Sequence, residues 1–144
     1  MSAKEIEPVK EIESVVQALA DAFNKLDIKA ALNLFSDNLE VFDHVPYRFD
    51  NKKQFADFLS AAFQPVTQAQ FGFRQLSCRP ISEGAAVANA YDTYIGATKD
   101  GKVQTIHGRT TLVLAKEHGS WKIVSAHFSP LPKGMSKHHE GHPH

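Results

Sequence analysis

The sequence predicts an α+β domain in which a curved antiparallel sheet wraps around three N-terminal helices. Three observations predict it. Apolar residues recur at helical spacing up to Phe63, strand-like runs replace them after Pro65, and two of the connections between those runs are compact glycine-containing turns. A length of 144 residues suits one domain.

Val9, Ile12, Val16, Leu19, Phe23 and Leu26 draw one stripe down the first helix. Pro8 fits its first turn, where a missing N–H has no partner to lose. Asp27 is placed to cap a second, shorter helix carrying Ile28, Ala31, Leu32 and Phe35. Ser36-Asp37-Asn38 should stop that helix, and Leu39 to Asp43 then reads as a short strand. After a loop through Pro46, Asn51 and Gln54 form a capping-box pattern for a third helix with Phe55, Phe58, Leu59 and Phe63 on its buried face.

Four long strands follow: "FGFRQLSCR", "AAVANAYDTYIGAT", "VQTIHGRTTLVLAK" and "WKIVSAHFS". The turn around "KDGK" sets the pairing of the middle two. A two-residue Asp100-Gly101 turn would place Asp92 opposite Arg109. A three-residue Lys99-Asp100-Gly101 loop, which suits a left-handed Gly101, places Tyr91 opposite Arg109 and Asn89 opposite Thr111. In the last strand, strict alternation puts Trp121 and Ile123 on one face and Val124, Ala126 and Phe128 on the other. The domain is expected to cover 1–130. Residues 131–144 form a tail with His138, His139, His142 and His144, read as solvated with incidental metal affinity.

Lys+Arg and Asp+Glu number 16 each, so there is no basic surplus of the kind that nucleic-acid binding needs. No apolar run approaches membrane-spanning length. Cys78 is the only cysteine, which fits a reducing, cytoplasmic setting.

The segments "GRTTLVLAKEHGSWKIVSAHFS" and "VVQALADAFNKLDIKAALNLFSDNLEVFD" resemble the SnoaL-like family of the nuclear transport factor two-like superfamily, over residues 9 to 129. They are also similar to the association domain of calcium/calmodulin-dependent protein kinases and to ketosteroid isomerases. The resemblance implies a cone-shaped barrel with a central pocket, a homodimer formed through the outer sheet face, and a small organic ligand. Asp43 in "VFDHV" stands where similar isomerases carry their general base. Their tyrosine and protonated aspartic acid fall on Leu19 and Thr111, so one group of three survives and ordinary steroid isomerisation is not expected.

If Thr111 faces the cavity, as the same alignment implies, Arg109 shares its parity and offers a guanidinium to a ligand carboxylate or enolate. Pairing then turns Tyr91 and Asn89 inward. Arg109 could equally form an ion pair with Asp43 or Asp92. Tyr47 is placed to lie over the mouth, Phe128 to contact the ligand, and Phe42, Phe49, Phe55, Phe58 and Phe63 to form walls. Ten phenylalanines favour a partly hydrophobic or aromatic ligand. The expected function is a small-molecule-binding pocket protein, whether or not it also works as a cofactor-independent isomerase, cyclase or hydratase, and no metal or other cofactor is expected. The alternative is a non-catalytic homodimeric association or ligand-sensing module.

Overall fold

The stripe of the first helix decides where the sheet lies. In this computed structural model, which describes residues 3–132, α1 (Ala3–Asn24) buries Ile12, Val16, Leu19 and Phe23, none more than 6% exposed. The helix starts upstream of Pro8 rather than at it, and forgoes the one i→i−4 hydrogen bond that proline cannot donate. Leu26 takes a left-handed φ of 56°, and Asp27 caps α2 (Ile28–Leu32) by accepting the Ala30 N–H at 3.0 Å.

Phe35 is not part of α2. It opens β1 (Phe35–Phe42). The cause is non-local: Ile123 N–H donates to the Leu34 carbonyl at 2.9 Å, and Phe35 pairs in register with Ile123. Ser36-Asp37-Asn38 therefore runs on as an irregularity inside a strand instead of stopping a helix. Ser36 Oγ accepts from Asn38 N–H at 3.0 Å and donates to Glu117 Oε2 at 2.9 Å.

A two-residue strand, β2 (Arg48–Phe49), precedes α3 (Lys52–Phe63), which buries Phe55 and Leu59. Asn51 Oδ1 accepts from Gln54 N–H at 2.9 Å, and Gln54 Oε1 reaches back to Asp50 N–H at 2.8 Å. The capping box closes one residue further upstream than its usual form. The long strands are β3 (Val66–Ser82), β4 (Ala85–Thr98), β5 (Val103–Glu117) and β6 (Ser120–Pro130).

Strand order is β2-β1-β6-β5-β4-β3, antiparallel except where β1 runs parallel to β6. The sheet stays open, with β2 and β3 as its edges. The expected cone is thus completed by helices, not by a strand-to-strand closure. Asn24, at the end of α1, fastens one edge: its Nδ2 donates to the Phe71 carbonyl at 2.9 Å and its Oδ1 accepts the Phe71 N–H at 2.7 Å. A side-chain amide so replaces a missing neighbouring strand.

The β4–β5 turn takes the three-residue form. Gly101 has φ 83°, and Thr98 N–H donates to the Lys102 carbonyl at 3.0 Å. Tyr91 pairs with Arg109 and Asn89 with Thr111, the register expected for that form. In β6 strict alternation fails. The pairing with β5 shifts between Val113 and Leu114, leaving Val124 as an extra residue. Trp121, Ile123, Ala126 and Phe128 consequently all point inward, each at most 8% exposed. The two-faced apolar strand expected from the sequence is a one-faced strand with a bulge.

Candidate active site

Which face of β4 and β5 looks inward follows from burial. Ala86, Ala88 and Asp92 are buried on β4, and Gly108, Thr110, Leu112 and Leu114 on β5. Even-numbered positions therefore meet the helices, and odd-numbered ones form the outer face. Between this inner face and helices α1 and α3 lies a cavity of about 310 Å³. Its walls include Phe23, Phe55, Phe58, Phe63, Phe71 and Phe128, and its polar groups come from Asp43, His44, Asp92, Tyr94, Thr98 and Gln104.

Asp43 directly follows β1, on the inward parity of Leu39 and Val41. Its Oδ1 accepts the backbone N–H of His44 at 2.7 Å. Burial pushes its pKa above the ordinary value of 3.8. The His44 hydrogen bond and imidazole pull the other way, and the charge of Asp92 adds to the rise. Asp92, 4% exposed, sits in the middle of β4, where Thr110 Oγ1 donates to its Oδ2 at 2.5 Å. Among the described residues neither carboxylate has a cation within ion-pairing distance.

Two glycines shape the site. A Cβ at Gly108 would lie 2.8 Å from Asp92 Oδ1 and 2.7 Å from the Ser129 carbonyl oxygen. A Cβ at Gly96 would overlap Tyr94 Oη, so the phenol rests on the strand where Gly96 leaves room. Phe63 meets the Tyr94 ring edge-on at 5.8 Å, and burial raises the Tyr94 pKa, so the phenol keeps its proton and can donate it to a hydrogen bond. Cys78 is no nucleophile at neutral pH, since burial, helped by Glu13, pushes its thiol up to about 11. Among the described residues no three His, Cys, Asp or Glu side chains gather as metal ligands would.

Of the residues expected to form the pocket, Asp43 and Phe128 line it, together with Phe55, Phe58 and Phe63. Asn89, Tyr91, Arg109 and Thr111 do not. They occupy the opposite face of the sheet, one residue out of phase with the cavity. There Asn89 Nδ2 donates to Thr111 Oγ1 at 2.9 Å, and the Arg74 guanidinium lies 5.9 Å from the centre of the Tyr91 ring. Arg109 can neither grip a ligand in the cavity nor neutralise Asp43. Tyr47 is 57% exposed and packs edge-on against Phe49, away from the cavity lining. Phe42, 47% exposed, stands on the outer face beside His127. The histidines of the tail lie outside the described residues.

The residues that sequence reasoning missed are Asp92, Tyr94 and Thr110. Their signal was present in the large apolar residues of β5: Leu112 and Leu114 share the parity of Thr110, and the register then carries that parity to Asp92.

An open mixed sheet folded over helices, with carboxyl groups facing an apolar cavity, defines a pocket-bearing α+β domain. The chain belongs to the SnoaL-like domain family, whose sequence model matches residues 12–133. No curated protein sequence matches it significantly. Among solved structures it is similar to a protein from Novosphingobium aromaticivorans provisionally named a scytalone dehydratase, with TM-score 0.81 and 12% identity, over 88% of this chain and 86% of that one. A ketosteroid isomerase-like protein from Erwinia carotovora atroseptica gives 0.76 and 20% identity, over 88% and 98%. A Xanthomonas campestris protein provisionally named a calcium/calmodulin-dependent protein kinase II association domain gives 0.68 and 20% identity, over 85% and 84%. At these identities the likeness establishes the fold and leaves the chemistry to the site.

Proposed function

We propose that the protein binds a small, partly hydrophobic or aromatic molecule and catalyses cofactor-independent proton transfer on it, as an isomerase, cyclase or hydratase does. One observation carries the reading: Asp43 faces a phenylalanine-walled cavity with no cation within ion-pairing distance among the described residues, and burial has raised its pKa. Such a carboxylate is a stronger base than one in water, and an apolar wall keeps competing water out. Asp43 takes a proton from a carbon beside a carbonyl, and the electron pair moves onto the carbonyl oxygen. The protonated Tyr94 phenol is the donor in the same cavity for that developing oxyanion. The proton then returns from Asp43 to another carbon. Thr110 holds Asp92 in place beside the reacting centre.

Mass spectrometry of co-purifying small molecules and thermal-shift screening of aryl ketones and aromatic acids test the binding half. Deuterium uptake at the α-carbon of a bound aryl ketone in D2O tests the chemistry. Uptake above the uncatalysed rate is expected. Binding without uptake would favour the ligand-sensing module instead.

The reading includes a homodimer formed through the outer sheet face, in a cytoplasmic setting that suits the lone Cys78. Phe42 and Tyr91, 47% and 41% exposed on that face, support it. No described helix is long and apolar enough to cross a membrane. Sedimentation at micromolar concentration should give a dimer, and Tyr91→Glu a monomer. A wild-type monomer there would overturn the assembly.

A further inference from the structure

The 310 Å³ cavity has a neighbour across Tyr94. A second, wider hollow of about 980 Å³ begins there, between the end of α3 and the β4–β5 turn. The two share Pro65, Val66, Tyr94, Thr98 and Gln104 in their walls, so they adjoin there and together outline one elongated site. Its axis follows β4, whose inward face reads Asp92, Tyr94, Gly96, Thr98. From Asp92 to Thr98 an extended strand covers roughly 20 Å.

The elongated site is polarised. Its inner part holds two carboxylates, Asp43 and Asp92, and among the described residues His44 is the only basic side chain in the wall. Its outer part holds Lys99 and Lys102 against the single carboxylate Asp100. Asp100 is engaged within its own turn: Thr98 Oγ1 donates to its Oδ1, and Lys102 Nζ lies 3.7 Å from its Oδ2. Among the described residues Lys99 has no ion-pair partner.

We infer that the ligand is an elongated organic anion, with its apolar or aromatic body in the inner cavity and its acidic end at Lys99 and Lys102. An acid cannot enter acid-end first without bringing like charge against Asp43 and Asp92 inside an apolar wall, where it is poorly screened. The opposite orientation places each part of such a molecule against its complement. Gly96 sets the junction: its missing side chain leaves room for the Tyr94 ring, which borders both hollows.

This inference rests on the pocket reading above, and the test separates the two. Affinities are measured by calorimetry for a series of ω-phenylalkanoates of increasing chain length and for their neutral primary amides. Wild type is compared with K99Q/K102Q, whose substitutions fall in an exposed turn and leave the core untouched. The carboxylates should bind more tightly as the chain lengthens until the acid reaches the lysines. The longest should then lose about fivefold or more in the double variant, while the amides change less than about twofold. Amides that bind while the long carboxylates show no length dependence and no lysine dependence would overturn the inference and leave the pocket reading standing. Failure of every member of both series to bind would overturn both.

Discussion

Replacing Asp43 with asparagine is expected to slow α-proton exchange steeply and, at neutral pH, to make the fold more stable. The rate should fall about 10²- to 10⁴-fold, the usual contribution of a positioned general base. The gain in stability should appear as a higher Tm for D43N than for wild type at neutral pH. Both effects have one origin. Burial raises the pKa of Asp43 above 3.8, so the folded protein holds its carboxylate in a less favourable state than the unfolded chain does. Asparagine keeps an oxygen for the His44 N–H and carries no charge to desolvate.

The direction with pH follows from linkage. Below pH 3.8 the carboxyl is protonated in both the folded and unfolded states, and D43N and wild type should melt alike. As pH rises from 3.8 through the raised folded pKa, the unfolded chain releases its proton first, and wild type loses stability relative to D43N. Above the folded pKa the difference is constant. Thermal melts of the two proteins from below pH 3.8 to neutrality measure it directly. A D43N protein less stable than wild type at neutral pH would mean that Asp43 is a structural anchor, and the base assignment would fall.

The parts of the fold that could be read from the sequence are those set by neighbours along the chain. The α1 stripe as far as Phe23, the Asp27 and Asn51 caps and the three-residue loop at Gly101 each depend on a few consecutive residues, and each forms as their spacing requires; Leu26, expected on the same stripe, lies beyond the end of α1. Phe35 was illegible because its partner, Ile123, lies 88 residues further along, and that pairing draws it out of α2 into β1. The inward face of β4 and β5 was illegible for a subtler reason. The turn fixes which residues face each other but says nothing about which side the helices cover. Val87 and Val113 on the outer parity compete with Ala86 and Leu112 on the inner one, so the pattern of apolar residues alone does not choose. An alignment that placed Thr111 inward shifted the phase by one residue, which turned Arg109 and Tyr91 into the pocket and Asp92 and Thr110 out of it. The single extra residue at Val124 had the same effect in β6, since a bulge changes parity and leaves no mark in composition. Asp43 escaped this error because the parity of Leu39 and Val41 is preserved up to the end of β1.

Gly108→Ala should have the larger structural effect, a loss of about 2–3 kcal/mol and roughly 6–9 °C in Tm. The added Cβ would stand 2.7 Å from the Ser129 carbonyl oxygen and 2.8 Å from Asp92 Oδ1. The first neighbour cannot swing away, because Ser129 is main chain in the β5–β6 ladder, in register with Arg109. The second can turn only by giving up the Thr110 hydrogen bond, which leaves a buried carboxylate without its donor. The strain and the lost hydrogen bond therefore add. Gly72→Ala is the matched control, since nothing lies within 4 Å of a Cβ there, and it should change stability by no more than about 0.5 kcal/mol. In a D92A background the cost of G108A should shrink without vanishing: the carboxylate clash is gone while the Ser129 carbonyl remains. Such non-additivity is expected only where two residues share one contact. Independent, additive losses would show that Asp92 does not lie over Gly108 in solution, and the inward phase of β4 on which the site depends would be wrong.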